Sequence, residues 1–418
     1  MRAYETMSGG APLWAALSRV PAQYPWLSED TECDVCVVGG GITGVLCTLR
    51  LAEQGENVVL ITAGQIGFGS TAATMPCVEY DCGQTVRRLA KRAGHDAALR
   101  MLELGAAALD ELEELCKTLD GDCGFARRDA LLFTDDESEL DMLGREYAER
   151  RRAGVDCTFI SRAAAKDVFA FEVAGGIMSK GMAAELDPYR LTQLCARRAQ
   201  SLGARIFENT RANRIDHILE RDRSEITTST YRKVTAKKVV VAAGEACADI
   251  LDGLAAPRTF FTVLSHRVRR LSGWPGRCII RSFSAPHVTF AATQDGRICA
   301  SGLATSVVDE HARLGGVFHM PRLHQRRFEE LEAGARYLFP AIETPQFEYA
   351  QAWRSCSSID GLPVIGLATD CPECWFAVCC GSGGILMSEA ASRMIGDMCA
   401  GRRAADEELF SPERRSLS

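Results

Sequence analysis

The sequence predicts an α/β chain, α+β overall: a doubly wound unit assembled from discontinuous segments, with an antiparallel-sheet domain inserted into it. Three observations carry this expectation. Apolar strand runs that feed glycine turns and amphipathic helices stand near both ends of the chain, at 34–55 and 375–398. A further apolar run, KVVVAA at 238–243, ends at Gly244. Between them, 258–305 is made of short alternating segments with turn signals at Gly273, Pro275, Pro286 and Asp295-Gly296, a pattern of antiparallel strands.

The elements follow in order. Residues 1–30 carry Pro12, Pro21 and Pro25, with Trp14 and Trp26 between them. Proline discourages regular structure, so this leader is expected to pack on the body through its tryptophans. DVCVV at 34–38 is a strand. After three glycines, Ile42, Val45, Leu46, Leu49 and Ala52 recur at helical spacing until Gly55. NVVLI at 57–61 is a second apolar strand, so the segment reads as a βαβ unit whose strands are covered on both faces. Residues 86–118 and 189–202 read as helices, 129–165 as a strand plus a charged helix, and 205–209 as a short strand. Residues 375–378, 381–384 and 385–398 then read as strand, turn and helix. The expected division is a leader at 1–30, a nucleotide-binding domain from 31–120, 185–255 and 350–402, a cap domain from 121–184 and 256–349, and a tail at 403–418.

Bulk composition narrows the functional classes. The 418 residues carry a net charge of -7, without the basic footprint of a nucleic-acid binder. The run Arg150 to Arg152 beside Glu146 and Glu149 reads as a solvated helix face. No apolar run reaches the ~20 residues of a membrane helix; 375–387 is broken by Gly381, Gly383 and Gly384. With no secretory signal, the expected location is cytoplasmic, and the 18 cysteines are expected as reduced, buried thiols. Cys33/Cys36 lies in a strand, where the two side chains point to opposite faces. Cys371/Cys374 (CPEC) lies in a turn, but no second pair has zinc-ribbon spacing. No metal site is expected.

The chemistry-bearing motif is GGGITG at 39–44. Gly39 permits the tight turn, Gly41 lets the backbone approach a pyrophosphate, and Gly44 lets helix and strand pack closely. The helix N-terminus then presents N–H groups and a positive dipole end to phosphate. This is a Rossmann-like dinucleotide site. One part is absent: the carboxylate that binds ribose hydroxyls at the end of the second strand is here Thr62. The loop GFGSTAAT at 67–74 is rich in hydroxyls. CCGSGGILMSEAAS at 379–392 is a second glycine turn feeding a helix, whose N-terminus would stabilise negative charge on an electron-rich ring.

Together these residues resemble the FAD-dependent oxidoreductases of the D-amino acid oxidase, glycine oxidase and sarcosine oxidase superfamily, in a divergent branch. Five segments carry the resemblance, in order: DVCVVGGGITG, IGFGST, LDPYRL, VVVAAG and IDGLPVIG followed by CCGSGGILMS. It implies FAD, with the pyrophosphate on Gly39, Gly41 and Gly44, and with Ser70 and Thr71 near the diphosphate and ring. Ala243 and Gly244 would touch the nucleotide, and Gly383, Gly384 and Ile385 the pyrimidine edge of the flavin. It also implies oxidation of a CH–NH bond in a small amine or amino acid, with oxygen or another carrier taking the electrons.

The sequence departs from the family pattern at several positions. The arginines that clamp a substrate carboxylate are replaced by Ser355 and Ser382, with Arg354 adjacent on the other face of its strand. The lysine of sarcosine-type oxidases is Leu386. His287 and His266 are candidate bases or substrate contacts, though a lone histidine also serves as packing. Cys356 is a candidate neighbour of the flavin. These departures keep open a non-catalytic or structural flavoprotein. An NAD enzyme is a further alternative that the second glycine turn opposes.

Overall fold

The computed structural model describes residues 6–7, 13–18, 22–218, 222–251, 254–284, 287–305, 322–340, 346–368, 371–379, 381–414 and 416. Its two sheets stand on the two patterns seen in the sequence.

Five parallel strands form the centre of the first sheet, in the order Cys371–Val378, Lys233–Val241, Thr31–Val38, Val58–Ile61, Arg205–Phe207. Val364–Ala368 adds antiparallel to the outer edge, and the hairpin Ala212–Ile218/Arg223–Thr228 extends from Lys233–Val241. Alternation along Thr31–Val38 sends Val35 and Val37 into one core and Cys36 into another. Both faces are therefore covered, which is why the strands read as nearly unbroken apolar runs. Each fully buried valine or leucine contributes about 1.5–3 kcal/mol.

The first core lies under the helices Ile42–Glu53, His95–Thr118, Pro188–Ser201 and Gly384–Cys399. Ile42–Glu53 and Gly384–Cys399 pack on one another, and Thr43 Oγ1 meets Ser388 Oγ at 2.7 Å. This bond ties the N-terminal turns of the two glycine-turn helices together.

The second sheet is ten-stranded and mostly antiparallel. Its order is Thr6–Met7, Phe347–Ser358, Ala255–Ser265, Ile298–Thr305, Val288–Ala292, Ile279–Ser282, Ala126–Thr134, Gly175–Glu185, Cys77–Glu79, with Cys157–Ser161 also on Gly175–Glu185. Cys77–Glu79 and most of Phe347–Ser358 come from segments that the sequence reading grouped with the nucleotide unit; they pair in this sheet instead. An aromatic core with Phe133, Trp274, Phe328 and Phe339 backs it. Among the described residues no helix is long and apolar enough to cross a membrane.

Two expectations require correction. Trp14 packs as anticipated, its indole N–H donating to the Thr74 carbonyl at 2.7 Å, but Trp26 is 61% exposed and Tyr24 and Leu27 are buried instead. The Arg150 to Arg152 run is not one solvated face. Arg150 is 1% exposed, because helix Leu140–Arg152 turns it toward Asp81, Glu146 and Tyr80.

Candidate active site

A cavity of about 1300 Å³ runs between the two sheets. Val38, Ile61, Val241 and Val378, the last residues of four parallel strands, border it. Ligands of open α/β sheets sit at this carboxyl end. The volume exceeds the ~300–1,000 Å³ of drug-sized sites, leaving room for a dinucleotide and a second small molecule.

The glycine turn is built by close approach. Gly39 has φ +125°, and a Cβ there would lie 2.3 Å from the Ala242 carbonyl oxygen. A Cβ on Gly44 would lie 1.9 Å from the Gly39 oxygen. Gly41 caps helix Ile42–Glu53 with no side-chain hydrogen bond, so the helix end is left to a ligand. The Ile42 N–H donates to Thr71 Oγ1 at 3.1 Å, which holds the one-turn helix Ser70–Ala73 against the cradle. Gly39, Gly41, Thr62, Ser70, Thr71, Ala243 and Gly244 all line the cavity.

Ala63, Gly64 and Gln65, which follow Thr62 in the cavity lining, bring no carboxylate; among the described lining residues the carboxylates are Glu79 and Glu245. Glu208 is close in sequence to the next strand but is turned away. It accepts from the Ile66 N–H at 2.8 Å and the Tyr24 N–H at 3.3 Å, anchoring the loop and leader.

The second glycine turn closes the opposite wall. Gly381, Gly383, Gly384 and Ile385 line the cavity, and a Cβ on Gly383 would lie 2.3 Å from the Cys82 Cβ. The approach is less close than at Gly44 and is to a side chain rather than to backbone. The turn and cradle therefore fit an FAD laid between two helix N-termini. Leu386 is buried and Cys356 is buried, and neither is among the lining residues; Cys356 Sγ lies 3.6 Å from the Gly244 oxygen. The side chains of Cys371 and Ser382, and all of Cys380, lie outside the described residues.

The cap end carries the remaining chemistry. Phe260 and Trp353, cross-strand partners, stack at 4.7 Å and line the wall. Arg354 and Ser355 both border the cavity, although neighbours on a strand alternate. Ser355 Oγ accepts from the Gly381 N–H at 3.5 Å. Arg354 approaches Glu245 in the next turn at 2.8 Å; the two charges attract, but neither atom is aligned for a hydrogen bond.

His287 lines the cavity with Nδ1 3.4 Å from the Ser282 carbonyl oxygen. Burial lowers its pKa, and Arg88 and Arg281 lower it further against that hydrogen bond. The imidazole is therefore neutral near pH 7. His266 is not part of the wall. It follows the far end of Ala255–Ser265, roughly 25 Å along the strand from Arg258 at ~3.3 Å per residue, where it is half exposed and 3.4 Å from Glu348.

Sequence reading missed a buried charge network and an arginine group. Arg281 pairs with Glu79 at 3.2 Å and with Asp81. Arg150 pairs with Asp81 at 2.8 Å and Glu146 at 2.9 Å, and donates to Tyr80 Oη at 2.7 Å. Burial raises Asp81, but the two guanidiniums outweigh it and hold the carboxyl below its usual range. Burial lifts Glu79 above its own despite Arg281, and pushes Tyr80 up to about 12. Glu146 also accepts the Val86 N–H at 3.0 Å, fixing the start of helix Val86–Ala93. That helix brings Arg88 and Arg92 to the cavity, and Ala255–Ser265 brings Arg258. The i,i+4 spacing of Arg88 and Arg92 on a helix with Val86 and Leu89 buried was the available signal. Among the described residues no group of three or more His, Cys, Asp or Glu could hold a metal ion.

Comparison with known proteins agrees with this architecture. A family model described as DAO, FAD dependent oxidoreductase, matches residues 34–398. The chain is 23% identical over 388 residues to glycine oxidase of Geobacillus kaustophilus (strain HTA426), covering 89% of this chain and 94% of that protein. It is 26% identical over 252 residues to gamma-glutamylputrescine oxidoreductase of Escherichia coli (strain K12), covering 59% and 57%. The match spans about half the length of the first curated relatives, 43%, 57% and 44%. Among solved structures, glycine oxidase from Geobacillus kaustophilus superposes with a TM-score of 0.73 at 21% identity, covering 92% of this chain and 99% of that one. L-amino acid deaminase from Proteus vulgaris gives 0.76 at 15%, covering 94% and 99%. At these identities the likeness is one of fold.

Proposed function

Because the chain belongs to the FAD dependent oxidoreductase family, DAO, we propose that it oxidises the CH–NH bond of a small amine or amino acid. The observation that carries this reading is the pair of tied glycine-turn helices opening on a cavity that continues into a polar cap. Bound FAD would supply the two-electron acceptor for the hydride leaving the carbon, and hydrolysis of the imine would give a carbonyl compound and ammonia or a primary amine. The relatives named as glycine oxidase and gamma-glutamylputrescine oxidoreductase support the substrate class.

The chain's own residues position and deprotonate. Gly39, Gly41, Ser70 and Thr71 would hold the diphosphate end; Gly44, which does not line the cavity, lets the helix close onto the Gly39 turn. Gly383, Gly384 and Ile385 present a helix N-terminus to the ring, a field that favours incoming negative charge. The stacked Phe260–Trp353 pair excludes water from one wall. His287, with Nδ1 directed at the Ser282 carbonyl, keeps Nε2 free to accept the ammonium proton, which must leave before the C–H bond is broken. Arg354 is a positioning residue in this reading, its charge matched by Glu245. We place the enzyme in the cytoplasm, since 18 cysteines in one long chain suit a reducing compartment; oxygen or another carrier reoxidises it.

The test is steady-state assay of purified holoenzyme with a panel of amines and amino acids, reading reduction of an artificial electron acceptor together with release of carbonyl product. Amine-dependent turnover with equal amounts of both is expected. Retained yellow FAD with no turnover on any member would instead leave a flavoprotein scaffold.

A further inference from the structure

We infer that the cap end of the cavity is built for an amine that carries two carboxylates. This inference deepens the proposed oxidation and rests on it for the amine, but its anion site stands on separate observations.

Arg88 and Arg92 are four residues apart on helix Val86–Ala93 and so share one face. Arg258 comes from strand Ala255–Ser265. It is the cross-strand partner of Ser355, and directly opposed residues of an antiparallel pair project from the same face. A guanidinium therefore stands on the same face as Ser355, whose side chain borders the cavity. All three arginines line the cavity, and among the described residues none of them forms an ion pair. The other cap-side guanidiniums are committed: Arg281 to Glu79 and Asp81, and Arg354 to Glu245.

Arg92 and Arg258 both act on Arg88. Burial lowers the pKa of Arg88, and Arg92, Arg258 and Arg281 lower it further. Like charges gathered on a cavity wall repel until an anion bridges them. One carboxylate forks onto one guanidinium; three unpaired guanidiniums exceed what a monocarboxylate satisfies. A dicarboxylate satisfies at least two and faces the third. His287 lies within the field of Arg88, which puts the amine-deprotonating group beside the anion site.

The test titrates the holoenzyme with acetate, succinate and inorganic phosphate, none of which has a CH–NH bond. The readouts are the shift of the flavin visible spectrum and calorimetric affinity. Succinate is expected to bind at least about tenfold more tightly than acetate, one decade being ~1.4 kcal/mol. Arg88→Met and Arg258→Met should each weaken succinate about tenfold and acetate less than about threefold, with flavin content unchanged. Arg88→Lys should retain more affinity than Arg88→Met. Equal binding of acetate and succinate to the wild-type protein overturns the inference without any variant, as does phosphate binding more tightly than succinate. Selective succinate binding without oxidation of any amine would sustain the anion site and sink the oxidation. Equal oxidation of neutral amines and amines with two carboxylates would do the reverse.

Discussion

At the residue scale, the site depends on atoms that are missing. Gly44 approaches Gly39 so closely that a methyl would sit 1.9 Å from a backbone oxygen, and backbone cannot rotate away as a side chain can. Gly44→Ala should therefore cost about 1–3 kcal/mol through overpacking and release FAD, read as loss of the flavin spectrum after gel filtration. An unchanged flavin-to-protein ratio would show that the cradle tolerates the shift. His287 gives the pH dependence. Its pKa is lowered by burial and by two arginines, so the neutral, proton-accepting form persists to lower pH than for an ordinary histidine. kcat/KM should rise with pH through a value below the usual ~6.5, and His287→Gln should abolish that limb. Arg88→Met should move the limb upward, since a repelling charge is removed. A limb that stays in place in His287→Gln belongs to another group. The glycine spacing was legible in sequence because a turn needs residues near in chain. Arg258 was not, because its meaning comes from standing opposite Ser355, nearly a hundred residues away.

At the scale of elements, helix Val86–Ala93 is positioned by another helix. Glu146 accepts the Val86 N–H and at the same time pairs with Arg150, whose charge also answers Asp81. Arg150→Met strands two buried carboxylates, and removing one partner of a buried pair costs about 3–5 kcal/mol. A large fall in thermal midpoint is expected; a fall within error would mean that water or Arg281 alone answers both carboxylates. Asp81 adds a pH signature. Its folded pKa is depressed, so its contribution is complete above the ordinary aspartate value and is lost as pH falls through the lower folded value. Wild-type stability should thus decline on acidification more steeply than that of Arg150→Met, in which the depression is weaker. Helix over 86–118 was readable from its composition, but its break at Gly94 into two helices was not. The burial of Arg150 was not: its local neighbours are acidic and the residue resembles any solvated arginine until Asp81 is brought across 69 positions.

At the scale of the whole molecule, the two sheets were foreshadowed by two sequence patterns, unbroken apolar runs and short alternating segments. The pairing was not. Cys77–Glu79 and Phe347–Ser358 join the cap sheet because hydrogen-bond partners, not adjacency to the glycine motifs, decide membership. That pairing lets one cavity, lined from both sheets, run from the cradle to the arginine group. The central claim is that this cavity transfers electrons from a CH–NH bond to FAD. The most direct test mixes the purified holoenzyme, without oxygen, with amines and amino acids bearing none, one or two carboxylates, and follows the visible flavin absorbance. The account predicts bleaching to the two-electron reduced spectrum, fastest with two carboxylates, and recovery when an oxidant is admitted. A flavin spectrum that no amine changes, while dithionite still bleaches it, would contradict the claim.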